Sequence, residues 1–271
     1  MRSIVLPISD THCGLKVGLM PTKVVDRDSH YYQTDAQQWL WKRWLQARRK
    51  IFKELEQADE LVVFLMGDPI HGSGKADECF SPRLKTQKDT FVQCLLPYTN
   101  RASSVYCVKG TKWHVGEDGI VEDQIAQELG AHGLKAYDKL EVDIQGVRFM
   151  LQHKGPSPGA RSWTKGNVVR GVMRTIFFNA LKDGRTPADI YIWAHYHEFL
   201  PVPEIIGDHE MFGCILPAWC VANEYALAVI KSLELSDVGM VYFVIEDGKW
   251  ERKTFVKKFD NVIRIQHAKR G

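Results

Sequence analysis

Along the chain, apolar residues follow two rhythms. Short continuous runs, each closed by a glycine or an acid, alternate with longer stretches in which they recur every three or four positions. "SIVLPISD" is a run of the first kind and predicts a buried strand ending at Asp10. Residues 13–33, with Gly14, Gly18 and Pro21, carry neither rhythm and are expected to be irregular. "TDAQQWLWKRWLQARRKIFKELEQAD" then predicts a long helix, with Thr34 or Asp35 as its cap and Leu40, Trp44, Ala47, Ile51 and Leu55 at helical spacing. "ELVVFLMGD" is a second buried strand, ending at Asp68, and a helix is expected over about 83–98. "SSVYCVKG" is a third strand, and "GEDGIVEDQIAQELG" a helix closed by Gly130. "KLEVDIQGVRFMLQHKG" alternates about Gln145-Gly146 and predicts a hairpin. "KGNVVRGVMRTIFFNALKDG" is a helix with Val169, Val172, Met173, Ile176 and Ala180 on one face, and "ADIYIWAHYH" a further buried strand. Beyond residue 210 short strands dominate, with a hairpin at Asp247-Gly248.

Strands and helices alternate first, and a strand-rich tail follows. That order predicts an α/β core of two packed sheets with helices outside. No repeat and no linker interrupts residues 1–271, so a single domain is expected.

Composition narrows this picture only a little. The chain has 271 residues, 45% hydrophobic and 25% charged, with a formal net charge of +3. A mildly basic balance permits anionic substrates without demanding nucleic acid. No apolar run approaches the roughly 18 residues of a membrane span. "MRSIVLPISD" breaks at Pro7, too early for a signal peptide. The six cysteines form no CxxC pair, which argues against a disulfide framework or a thiolate zinc site. A cytoplasmic protein with reduced thiols is expected, and the oligomeric state is open.

The polar residues at strand ends change the picture more. The first strand delivers Asp10 and His12, the second Asp68, and the hairpin His153. The strand near 190 delivers His195 and His197, and "CVKGTKWHVGED" after the third strand adds His114. In Asp10-x-His12 and His195-x-His197 the paired side chains are two apart, and on an extended segment they share a face. Hard carboxylate oxygen with imidazole nitrogen suits Mn, Fe or Zn better than Ca. Two such ions about 3.5–4 Å apart, bridged by one carboxylate, would activate water and clamp phosphoryl oxygens.

This ordered set, D-x-H, G-D, a Gly-then-His loop, a lone His and H-x-H over about residues 4–200, resembles the calcineurin-like metallophosphoesterase family. DNA-repair exonuclease-like members are the nearest in motif pattern. The resemblance implies a four-layer αββα sandwich of two mixed β-sheets flanked by helices. It implies two divalent cations, manganese first, with iron, zinc or nickel as alternatives. By position, Asp10, His12 and His197 would hold one ion, His153 and His195 the other, and Asp68 would bridge them. The implied reaction is hydrolysis of a phosphate ester by a metal-bound hydroxide, with His114 as the general acid or phosphate-contacting residue.

Three departures qualify the resemblance. Ala194 stands where a glycine usually precedes His-x-His. His71 follows Gly67-Asp68 where another acid is frequent; a surface-loop histidine and a substrate or metal contact are both open there. Gly110 is followed by Thr111, Lys112 and Trp113 before His114, where the family has Gly-Asn-His. Thr111, or a water, would then complete the second ion's coordination, and Glu117 or Asp118 could orient the His114 ring.

Partners follow from charge. Lys154, Arg161 and Lys165 lie with Trp163 in a Gly/Pro-rich loop after His153, where cations could hold phosphate. Lys42, Arg49 and Lys53 form a basic stripe on the long helix beside Trp39 and Trp41, which would suit a nucleic-acid strand or simply a solvated face. Trp44 belongs to the apolar face. His30, His132, His209 and His267 have no motif context. The expected activity is a phosphodiesterase on DNA, RNA or a nucleotide, including a nuclease. A phosphomonoesterase or cyclic-nucleotide phosphodiesterase on the same site is the alternative within the fold. A metal-binding scaffold without catalysis is the alternative outside that class.

Overall fold

The computed structural model describes residues 1–27, 29–74, 76–115, 120–159, 161–222 and 235–260. The first half holds β1 (Arg2–Ile8), β2 (Lys23–Asp26), β3 (Ser29–Tyr32), α1 (Asp35–Leu55), β4 (Glu60–Leu65), α2 (Leu84–Thr99) and β5 (Ser104–Val108). A single turn, α3 (Lys112–Val115), is followed by α4 (Ile120–Glu128), β6 (Ala136–Tyr137), β7 (Leu140–Ile144) and β8 (Val147–Lys154). The chain continues through α5 (Asn167–Lys182), β9 (Ile190–Ala194), β10 (Leu200–Ile206), β11 (His209–Ile215), β12 (Leu235–Glu246) and β13 (Lys249–Asp260).

The strands form two mixed sheets and one small ribbon. The first sheet has the order β13-β12-β1-β4-β5-β6, with β1, β4, β5 and β6 parallel and β12 antiparallel to β1. The second has the order β10-β11-β9-β8-β7, with β8, β9 and β11 parallel. Alternation along each strand supplies the layers. Ile4, Leu6 and Ile8 of β1 and Leu61, Val63 and Leu65 of β4 face outward, against α1, α2 and α4. Val5, Val62 and Phe64 face the second sheet, where Phe149, Leu151, Ile192 and Phe212 meet them. The second sheet's other face carries Met150, Tyr191 and Trp193 against Val169, Met173 and Phe177 of α5. The result is helix, sheet, sheet, helix, the four layers that the family resemblance implies.

Local chemistry explains the main boundaries. Thr34 caps α1 through a capping box: its hydroxyl accepts from Gln37 N–H at 3.3 Å, and the Gln37 side-chain oxygen Oε1 accepts from Thr34 N–H at 3.0 Å. The Gln37 amide nitrogen also donates to the Leu15 carbonyl at 3.0 Å, tying the start of α1 to the loop that carries His12. Leu40, Trp44, Ala47 and Ile51 form the buried stripe of α1, and Trp44 packs edge-on against Trp219 and Tyr98. Both expected hairpin turns have left-handed residues at the two central positions, Gln145-Gly146 and Asp247-Gly248, as a type I′ turn requires.

Two expectations are corrected here. Residues 13–33 are not wholly irregular, because β2 and β3 pair within them. Most of that ribbon is exposed, so no alternation marks it; Asp26 instead anchors it to Arg83 at 2.8 Å and to the Thr86 hydroxyl at 2.5 Å. The tail strands β12 and β13 are not short: each has 12 residues. The expected helix from Gly116 is described from Ile120 onward, and Gly116–Gly119 lie outside the described residues.

Candidate metal centre

Parallel strands place their C-terminal ends together, and that edge collects the polar residues. Asp10 lies just past β1, Asp68 just past β4 and Thr111 just past β5, while His153 is near the end of β8 and His195 directly follows β9. Backbone bonds lace the loops: Asp10 N–H to Gly67 carbonyl at 3.2 Å, His12 N–H to Asp68 carbonyl at 3.2 Å, and Trp219 N–H to Asp10 carbonyl at 3.1 Å. Asp10, His12, Asp68, His195 and His197 all have left-handed backbones, with φ of 49°, 41°, 50°, 77° and 53°. Each such residue costs about 1–3 kcal/mol, and strain of this kind concentrates at functional sites. Close approach also demands glycine twice. A Cβ on Gly67 would sit 2.7 Å from His153 Nδ1, and one on Gly110 would sit 2.1 Å from Asp68 Oδ1.

Three groups of three have ligand atoms within 4.8 Å of one another: Asp10, His12 and His197; Asp68, His153 and His195; and His12, His71 and His114. In the first, Asp10 Oδ2 accepts from the Ser9 hydroxyl and from His195 N–H at 3.2 Å. Its Oδ1 is buried with no hydrogen-bond partner, and faces His12 Nε2 at 3.7 Å and His197 Nε2 at 3.3 Å. Those two ring nitrogens are 3.1 Å apart. In the second, His153 Nδ1 donates to the Met66 carbonyl at 2.6 Å, which turns Nε2 toward Asp68 Oδ2 at 3.1 Å. His153 Nε2 is likewise buried without a hydrogen-bond partner. Lone pairs converging in a desolvated space without a donor are unfavourable, and a divalent cation satisfies them. The donor set of carboxylate and imidazole fits such an ion.

The electrostatics agree. Burial pushes the Asp10 carboxyl up, but the His197 and His12 rings beside it override this and hold the pKa well below the usual range. At Asp68, burial is overridden by His153 and His12, again with a strong depression. Burial lowers His12 to about 4 against the pull of Asp10, so its ring is neutral and offers a lone pair at pH 7. Burial and repulsion from His153 lower His195 too. His153 goes the other way: burial lowers it, but Asp68 and Asp10 raise it to about 9, so a proton there serves the same carboxylates that a metal would.

His114 and Thr111 lie beside Asp68, and His71 packs against His12 and His114. His71 is only 6% exposed and groups with His12 and His114, so the surface-loop alternative for it is corrected. His114 Nδ1 donates to the His71 carbonyl at 2.7 Å, and its Nε2 lies 3.9 Å from Asp68 Oδ2. That carbonyl orients the ring; Glu117 and Asp118 lie outside the described residues. Thr111 donates to Asp68 from its backbone N–H at 2.6 Å and from its hydroxyl at 3.1 and 3.2 Å. It therefore holds the carboxylate rather than standing apart as a ligand.

An open cleft of about 510 Å³ leads to this floor, and Lys154 lines it. Arg161 is exposed and does not line the cleft, and Lys165 is ion-paired with Glu198. Lys42, Arg49 and Lys53 are exposed on α1 and do not line the cleft either.

Glu122 is a residue the sequence reading passed over. It is 3% exposed, its Oε1 accepts from Gly110 N–H at 2.8 Å, and its Oε2 is buried without a hydrogen-bond partner. Burial, opposed by the bond from Gly110, pushes its pKa up to about 8. Its spacing to Ile125 and Ala126, both buried on α4, was the available signal.

No protein-family model and no curated protein matches the chain. Among solved structures it is similar to a predicted phosphoesterase from Streptococcus pneumoniae, at 11% identity over 96% of this chain and 99% of that one, with a TM-score of 0.39. It is similar to vacuolar protein sorting 29 from Cryptosporidium parvum, at 13% identity over 96% and 99%, with a TM-score of 0.41. It is also similar to the sulfate thiohydrolase SoxB from Thermus thermophilus, at 11% identity over 94% of this chain and 56% of that one, with a TM-score of 0.44. Likenesses this distant carry no functional argument. The class is defined by the molecule itself: an α/β sandwich whose strand ends build a candidate divalent-metal centre. No helix among the described residues is long and apolar enough to cross a membrane.

Proposed function

We propose that the protein is a calcineurin-like metallophosphoesterase that hydrolyses phosphodiester bonds with two divalent cations, manganese first. The observation that carries this reading is the pair of groups, Asp10/His12/His197 and Asp68/His153/His195, each with ligand atoms within 4.8 Å of one another, and Asp10 Oδ1 buried among imidazoles without a hydrogen-bond partner. The first group would hold one ion and His153 with His195 the other, with Asp68 shared. Bound divalent ions lower the pKa of a water and neutralise phosphoryl oxygens.

The chain's own residues do the rest. Thr111 fixes the Asp68 carboxylate with two donors. Gly110 lets the loop approach it, and Glu122 holds Gly110. His114, with Nδ1 committed to the His71 carbonyl, presents Nε2 toward Asp68 and can hold a proton there for the leaving oxygen. Lys154 and His71 at the cleft would contact the phosphate. DNA, RNA and nucleotides are the substrates this reading favours, acting in the cytoplasm, where the six free buried thiols stay reduced.

The test is turnover of bis-p-nitrophenyl phosphate and p-nitrophenyl phosphate by protein reconstituted with manganese. Faster hydrolysis of the diester is expected. Preference for the monoester would replace the diester assignment, and no turnover with metal bound would favour the scaffold reading.

A further inference from the structure

The cleft has two unlike walls. Its floor is imidazole and carboxylate, whereas Leu15, Cys220, Val221 and Trp113 make an apolar side. A simple phosphate or sugar phosphate would use the floor and leave the apolar side wet. Leu15, Cys220 and Val221 are themselves buried, so the accessible part of that side is Trp113, which is 66% exposed. An indole open at a cleft offers a ligand one of the largest apolar contact areas of any side chain. Trp113 has its backbone position set by its neighbours. It belongs to the turn α3 and is followed by His114, whose ring is anchored to the His71 carbonyl at 2.7 Å. Its indole runs beside Gly74, where a Cβ would be 3.7 Å away. The ring thus lines the cleft next to His114 with most of its surface open. The cleft volume of about 510 Å³ accommodates a phosphate with a ring system attached.

We propose that Trp113 is a stacking platform for a planar heterocycle on the substrate, so that nucleotides or nucleic-acid ends are recognised by a base as well as by phosphate. The inference rests on the phosphoesterase reading and adds the group that sets specificity. A π-face accepts any base, so the selection is for nucleotide over sugar phosphate or phosphoprotein, with little choice among bases.

Calorimetry on the full chain loaded with manganese tests it, with adenosine 5′-monophosphate and ribose 5-phosphate as probes. They share the phosphate and the ribose and differ in the base. Wild type should bind the nucleotide roughly tenfold more tightly or better. Trp113→Ala should bring the ratio close to one while leaving ribose 5-phosphate unchanged, which also shows that the variant is folded. Trp113→Phe should keep most of the ratio, and Trp113→Leu, apolar without a π-face, should lose it. A wild-type ratio near one, or equal weakening of both probes by Trp113→Ala, overturns the proposal. Turnover of bis-p-nitrophenyl phosphate is followed in parallel. If it persists with a ratio near one, the stacking site alone fails; if neither turnover nor phosphate binding occurs, the phosphoesterase reading fails with it.

Discussion

The metal-centre floor and the core beneath α1 are both buried, yet burial acts on them in opposite directions. Trp44, Tyr98 and Trp219 pack edge-on in regular helix and loop, and removing them from water stabilises the fold. Asp10, His12, Asp68 and His153 are as deeply buried, but three of the four have left-handed backbones and three, Asp10, His12 and His153, present polar atoms without a hydrogen-bond partner. There burial costs free energy, which metal binding would offset. The stabilising region packs on the outer face of β1 and β4, and the strained one lies in the loops that directly follow the same two strands.

Substitutions should separate the two regions. Asp68→Asn removes the charge that both groups of ligands face, so turnover should fall to background with the fold intact by circular dichroism. A residual above about a tenth of wild type would sink the bridging assignment. His114→Ala should lower turnover by about 10²–10⁴-fold, as loss of a general acid does, with metal content by elemental analysis unchanged. If it instead empties one metal position, His114 is a ligand and its assigned role is wrong. Trp44→Ala should do the converse: a loss of about 3–5 kcal/mol in urea unfolding, with turnover per folded molecule near wild type.

The smallest effect is a pH slope in chelator-treated protein. His153 titrates near 9 when folded against 6.5 unfolded, so its stabilisation is complete below 6.5 and is lost as pH rises through 9. Glu122, near 8 against 4.5, binds more protons folded than unfolded and loses stability over pH 4.5–8. His12, near 4 against 6.5, opposes that loss only below 6.5. The melting temperature of the metal-free protein should therefore fall between pH 6.5 and 9, and Glu122→Gln should flatten the lower part of that fall. A melting temperature that rises across this interval would contradict the burial of His153 against Asp68. Manganese should reverse the slope, because the ion displaces the His153 proton more easily as pH rises.

Much of this architecture was legible locally. Uninterrupted apolar runs marked β1, β4, β5 and β9, and the 3.6-residue stripe of α1 and its Thr34 cap were written in order along the chain. The exposed ribbon of β2 and β3 was not, because it buries almost nothing and so leaves no periodic mark. The strand-end spacing also named the aspartates and histidines that the two groups contain. The environment of each was another matter. Nothing near His71 in sequence says that its carbonyl anchors His114, 43 residues away. Nothing near Glu122 announces Gly110, and nothing separates Lys154, on the cleft, from Arg161, outside it.

The sequence by itself determined the elements and the kinds of ligand at their ends, because helix and strand periodicity and turn chemistry are local properties. Only the tertiary structure decided which loops share an edge, which polar atoms lose their water there, and that Trp113 is left open beside them. Those outcomes depend on strand order and sheet packing, which bring together residues far apart in the chain and set the dielectric each one experiences.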